Sequence, residues 1–310
     1  MYKRVGIRFS CLWLWLSVAA LGQTAAHRAG AASVSDRHAL GAAPCAWSEP
    51  VRKPDQTLDV SRTMELLKRD SFRCHAMPIT TAPPYTWAEF QALVAAADAV
   101  GIDEWPVLIP PTEGSSAPYK HNFVAWVEEL AMLSLRYPHL RGANIDDLDQ
   151  GENGKLFSRD YICRIFKAKQ AINPKLLFVP TIYSLDRAFA DRMSGCVDGV
   201  WLWWSKLDTV TGLASSLQQA KTAAAGRFPV YGGVYAHWTS WHKQGPPAAP
   251  IFEQTLQQTC ELADGAIIWK ISLEPPDPLL QIARSLTREG TSSVGGRCGD
   301  ARAKAAEKSQ

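Results

Sequence analysis

The sequence has no surplus of either charge: 33 Lys and Arg stand against 30 Asp and Glu. Nothing in it is built to hold a polyanion, so no nucleic-acid partner is expected. It has no C-x-x-C pair and no His at ligand spacing from a Cys, which argues against a zinc site, and no metal is expected. It also lacks a Gly-rich phosphate loop, a P-loop and a G-x-S-x-G elbow, so no nucleotide cofactor or serine-hydrolase chemistry is expected. Long apolar runs are missing too. The one conspicuous run, Phe9 to Leu21, is short for a membrane span. It follows Lys3, Arg4 and Arg8 and precedes Gly22-Gln-Thr-Ala-Ala26, the layout of a secretory signal peptide. The alternative is an uncleaved anchor.

Removal of residues 1–26 takes away three basic residues and no acid, which leaves a formally neutral chain. The expectation is a secreted or periplasmic protein with no membrane partner once the signal is gone. Cysteine usage agrees. Cys11 leaves with the signal, and Cys45, Cys74, Cys163, Cys196, Cys260 and Cys298 remain. An even set in an oxidising compartment favours disulfides, with Cys45–Cys74 and Cys260–Cys298 the expected pairs.

What is present is an alternation of strand and helix signals. Residues 27–44 read as a flexible lead-in and the polar stretch 289–310 as a disordered tail. Between them, residues 45–288 carry seven strand patterns separated by helical ones, plus a weakly marked first strand in Cys45 to Leu58. Thr86-Trp-Ala-Glu89 is a capping box, Ser158 and Asp277-Pro278 mark helix starts, and Pro78 reads as the end of the second strand. Eight β/α units in one domain predict the α/β class and a (β/α)8 TIM barrel. An open doubly wound sheet is the competing architecture.

Leu140-Arg-Gly-Ala-Asn-Ile-Asp-Asp-Leu-Asp149 is the most informative stretch. As a strand it puts Gly142, Asn144 and Asp146 on one face and Ala143 and Ile145 on the other. The small and polar face suits a barrel interior, and Asp146, Asp147 and Asp149 then fall at the C-terminal strand edge, where barrel sites are built. The same edge collects Glu113, Tyr183, Trp203, Trp204, Lys206, Tyr235, His237, Trp238, Trp269, Lys270 and Glu274. Carboxylates among aromatic rings suit a sugar site, because glycosidic cleavage uses two acids. The bland alternative is that the large aromatics fill core. Asp147 to Asn153 is oxygen-rich but misses the EF-hand order, and His75 and His237 read more simply as hydrogen-bonding wall than as acid–base groups or ligands.

The alternating chain, the acid-rich fourth strand end, and the phrases Asn144-Ile-Asp-Asp and Asp198-Gly-Val-Trp resemble glycoside-hydrolase-like (β/α)8 barrels of secreted bacterial proteins. Chitinase-like families carry D-G-x-D-x-D-x-E at that strand end. Here Gly142 and Asp146 match, while Arg141, Asn144 and Leu148 stand where two Asp and the catalytic Glu belong. The resemblance therefore implies the barrel and the place of its site, and no specific family. Asp146 is the first catalytic candidate, with Asp147 or Glu274 as the second carboxylate. Asn144, Tyr183, Trp203, Trp204, Tyr235, His237, Trp238, Trp269 and Lys270 are the expected substrate contacts. The expected function is hydrolysis of a glycosidic bond in an oligo- or polysaccharide. The alternatives are a non-catalytic carbohydrate-binding barrel and a metal-assisted hydrolase.

Overall fold

The computed structural model describes residues 44–79, 86–237, 245–274 and 277–287. The expected signal peptide and tail lie outside these residues. In chain order the elements are β1 (Cys45–Trp47), α1 (Val60–Arg69), β2 (Cys74–Ile79), α2 (Trp87–Val100), β3 (Asp103–Leu108), α3 (Phe123–Arg136), β4 (Gly142–Ile145), α4 (Asn153–Leu156), α5 (Arg159–Ile172), β5 (Leu177–Phe178), β6 (Thr181–Ile182), α6 (Arg187–Met193), β7 (Val200–Trp203), α7 (Leu213–Ala224), β8 (Val230–Tyr235), α8 (Ala249–Leu262), β9 (Ala266–Trp269) and α9 (Pro278–Thr287).

Every strand pair is parallel, and the order is β5-β4-β3-β2-β1-β9-β8-β7-β6. The two ends of that order are one piece of chain. β5 pairs with β4, β6 pairs with β7, and only Val179 and Pro180 separate them. Pro180 has no N–H to donate, so the ladder breaks there, yet its carbonyl still accepts from Trp201 N–H at 2.9 Å. Residues 177–182 thus act as a single stave, and the sheet closes as an eight-stave α/β barrel.

Alternation along the staves divides the core in two. Trp47, Cys74, Ala76, Trp105, Val107, Trp201, Trp203, Tyr231 and Tyr235 pack together inside the barrel. Ala46, Met77, Ile79, Ala143, Ile145, Leu202, Val234 and Ile268 face outward and pack with the helices. The interior is filled by indoles, and small residues make room for them. A Cβ at Gly142 would enter the ring of Trp105, and one at Gly233 would enter the ring of Trp203.

Local signals account for most element starts. Thr86 and Glu89 form the expected capping box on α2, and Glu89 also accepts from Leu58 N–H at 3.0 Å, tying the β1–α1 loop to that helix. Ser158 caps α5 and Asn122 caps α3. One boundary differs from the sequence reading. β2 runs through Pro78 to Ile79, because β1 ends at Trp47, opposite Ala76. Pro78 lies past the end of that neighbour, where a missing N–H costs no ladder bond.

Cys45–Cys74 joins β1 to β2 as expected, and Cys163–Cys196 joins α5 to the turn after α6. Cys260 is also disulfide-bonded; its expected partner, Cys298, lies outside the described residues. No described helix is long and apolar enough to cross a membrane.

An ion pair and a buried histidine–carboxyl contact lie in the helix layer. Lys169 of α5 is fully buried, with Nζ 2.5 Å from Asp198 Oδ2 and 2.7 Å from the Leu176 carbonyl. Asp198 also accepts Phe178 N–H at 2.8 Å, so the Asp-Gly-Val-Trp phrase clamps β5 beside β7. His75 Nδ1 donates to Glu104 at 2.9 Å. Both are the second residues of their strands, which puts them at the end of the barrel away from the C-terminal mouth.

Candidate active site at the C-terminal mouth

At the end of β4, Asp146 N–H donates to Leu108 O at 3.0 Å, which holds the strand end against β3. Asn144, one repeat earlier on the same face, is buried and donates to Val179 O at 2.7 Å and Thr181 Oγ1 at 3.1 Å. Asp146 therefore follows a strand whose register is fixed from both sides. Asp147 then takes a left-handed backbone conformation, φ +44°, which turns the chain sharply and folds its side chain into the protein, 8% exposed.

Glu113 arrives from the β3–α3 loop. Its N–H closes a turn onto Pro110 O at 3.0 Å, and its carboxyl lies in the field of the Asp147 carboxylate. Buried Asn153, at the start of α4, knits the two loops together by donating to Thr112 Oγ1 at 2.7 Å and to the Asp147 carbonyl at 3.1 Å. Adjacent staves place their loops side by side, so carboxyls from after β3 and after β4 meet.

These acids do not titrate normally. Burial, then the charges of Asp147 and Glu113, push the Asp146 carboxyl well above the usual carboxylate range, against hydrogen bonds from Asp147 N–H and the Thr181 hydroxyl. Withdrawal from water, then the Asp147 charge and the shared hydrogen bond, raise Glu113 to about 7. Around neutral pH Asp146 and Glu113 hold protons that free carboxyls would have released.

Across the mouth, Tyr183 follows β6 and Tyr235 ends β8, their hydroxyls 3.2 Å apart. Burial chiefly raises both phenols, and both feel the charges of Asp146 and Asp147. Tyr235 packs edge-on to Trp269, with centroids 5.3 Å apart, and lies 5.2 Å from Trp203. Lys270 Nζ stands 4.8 Å from the centroid of the Trp269 ring.

The expected site residues thus separate. Asp146, Asp147, Tyr183 and Tyr235 share one electrostatic field, and Trp269 and Lys270 adjoin them through Tyr235. Glu274 does not join the acids: it is exposed on the loop after β9, hydrogen-bonded through its backbone to Ser272 and felt by Arg69 of α1. Asn144 is a buried strut. Trp203 is a barrel-interior ring, 5% exposed. Trp204 packs toward the helices, with Nε1 donating to Thr209 O at 3.1 Å. His237 is exposed just past β8, and Trp238 lies outside the described residues. Asp149 accepts backbone N–H groups of Tyr183 and Ser184, each at 3.1 Å, so it braces the mouth. Among the described residues, no group of three or more His, Cys, Asp or Glu is arranged to hold a metal ion.

Solved structures with this architecture include a GH113 β-1,4-mannanase, 9% identical with a TM-score of 0.58 over 80% of this chain and 98% of that one. They also include the GH99 endo-α-mannosidase from Bacteroides thetaiotaomicron, 13% identical with a TM-score of 0.53 over 79% and 85%. The endo-1,4-β-mannanase from Eisenia fetida is 11% identical with a TM-score of 0.53 over 83% and 94%. By fold, this is a (β/α)8 barrel. No protein-family model matches the chain, and no curated protein matches it by sequence.

Glu113 is the member of the cluster that sequence reasoning placed at the mouth without giving it a role. The signal that could have singled it out is Pro110-Pro111, which turns the chain directly after β3 and keeps the next acid close to the neighbouring strand end.

Proposed function

We propose that this protein is an exported glycoside hydrolase that cleaves a glycosidic bond in an oligo- or polysaccharide. The observation that carries the reading is the meeting of Asp146 with Asp147 at the C-terminal mouth, in a field strong enough to keep carboxyls protonated near neutral pH. Glycosidic cleavage needs one carboxyl that still holds a proton and one carboxylate at the anomeric carbon or its water. Asp146, projecting from β4, takes the place beside the anomeric carbon. Asp147, folded inward at the turn that follows, is the second carboxyl beside it. Trp269 and Tyr235 offer flat apolar faces to pyranose rings. Barrels of this shape are used by mannanases and mannosidases, and the disulfides fit an oxidising compartment.

The test is a panel of glycans, with mannans and chitin oligosaccharides among them, assayed for both binding and new reducing ends. Product release that depends on Asp146 supports the hydrolase. Tight binding with no product from any glycan would make the protein a carbohydrate-binding barrel.

A further inference from the structure

The mouth carries a cation that no carboxylate among the described residues pairs with. Lys270 follows β9 directly and is exposed. Had the strand continued, alternation would turn its side chain toward the helices, but its backbone is left-handed, φ +53°, an uncommon state for any residue other than glycine. That turn lays Nζ over the Trp269 ring instead, 4.8 Å from the centroid, and Trp269 packs with the barrel-interior cluster. Lys155, Lys169 and Lys221 pair with carboxylates. Lys270 does not, and Glu274, farther along its loop, is felt by Arg69. In the closed order β9 stands four staves from β4 in either direction, so Lys270 lies across the mouth from Asp146 and Asp147. One rim is acidic and the opposite rim is cationic.

We propose that the substrate is an acidic polysaccharide and that Lys270 takes the carboxylate of one of its uronic acid residues. This rests on the hydrolase reading of the mouth. An ammonium is a compact charge with three donors, which suits one carboxylate and gives a neutral hexose little that a hydroxyl would not. Its contact with an exposed ring is a weak hold, so the amine can leave Trp269 for an anion within reach. The carboxyls of the far rim disfavour a further negative charge beside them, so the sugar lies one way round, with its charge toward β9 and the scissile bond toward β4. A uronic chain fits better than a heavily sulfated one. The chain without its expected signal is formally neutral and offers no broad basic surface to a dense polyanion. Lys206 supplies the comparison: its Nζ lies 5.1 Å from the centroid of the Trp204 ring, which packs with the helix layer.

The test measures calorimetric binding and new reducing ends for oligosaccharides of polymannuronate and polygalacturonate, for the same chains with their carboxyls reduced to alcohols, and for sulfated galactan. The wild type should bind one of the carboxylate chains about tenfold more tightly than its reduced form, the size of one charge-assisted hydrogen bond, and added salt should narrow the gap. Lys270→Gln should abolish that preference and Lys206→Gln should leave it in place. A wild type that favours reduced or sulfated chains, or a preference that survives Lys270→Gln, would overturn the assignment. An equal loss in Lys206→Gln would overturn it too, by marking a diffuse field rather than one residue. Product from reduced chains and none from carboxylate chains would sink this proposal and leave the hydrolase standing. If no chain yields product, the hydrolase reading falls and binding alone decides: carboxylate preference that depends on Lys270 upholds the acidic ligand, and its absence overturns it.

Discussion

The raised pKa of Glu113 makes a stability prediction that needs no substrate. In the unfolded chain this carboxyl titrates near 4.5 and in the folded protein at about 7. Between those values the native state holds a proton that the unfolded state has released, so stability falls as pH rises across the window. The contribution is intact below about 4.5 and spent above about 7. At about 1.4 kcal/mol per tenfold the full difference is about 3 kcal/mol. Glu113 is largely exposed, and solvent screening reduces this to about 1–2 kcal/mol. Glu113→Gln isolates the effect, because the amide keeps the shape of the protonated acid but cannot ionise. Urea unfolding followed by tryptophan fluorescence from pH 4 to 8.5 should show equal stabilities at the acid end. Above pH 7 the variant should be more stable by about 1–2 kcal/mol, a melting difference of about 2–8 °C for a chain of this size. Curves that stay parallel across the whole range would refute the raised pKa of Glu113.

Trp203→Ala should cost about 3–5 kcal/mol, read by denaturant unfolding, since its ring packs inside the barrel against Trp47, Tyr235 and the bare backbone of Gly233. A loss under about 1 kcal/mol would put that ring outside the packed interior. Lys169→Met should cost about 3–5 kcal/mol by leaving Asp198 without its cation, and Lys169→Met with Asp198→Asn should recover part of that loss. Additive losses in the double variant would show that the two do not act as a pair.

The sequence made the barrel legible because its signals are periodic. The alternation through Gly142, Asn144 and Asp146 reproduces the interior face seen in the structure, and the Thr86 box and Ser158 cap sit where their helices begin. Pro78 misled because whether a proline stops a strand depends on where the neighbouring strand ends, and that is a tertiary fact. Trp203 and Trp204 look alike as neighbours, but consecutive residues face opposite ways, so one ring fills the barrel and the other the helix layer. Glu113 and Glu274 both follow strands, and only loop geometry separates them. The turn at Pro110 and the Asn153 bridge bring Glu113 to Asp147, whereas Glu274 sits beside Ser272, felt by Arg69. Loops carry no period, so their end points were not readable.

Asp146 is where the strand pattern, the carboxyl field and the proposed chemistry coincide, so its replacement is the most direct test. Removing a group that acts in the transition state lowers kcat, whereas removing uniform binding raises KM. Steady-state hydrolysis of the best glycan by Asp146→Asn should show kcat down by about 10²–10⁴-fold, with ground-state binding, measured by calorimetry, nearly unchanged. Full hydrolysis by Asp146→Asn would contradict the account and move the site elsewhere on the barrel.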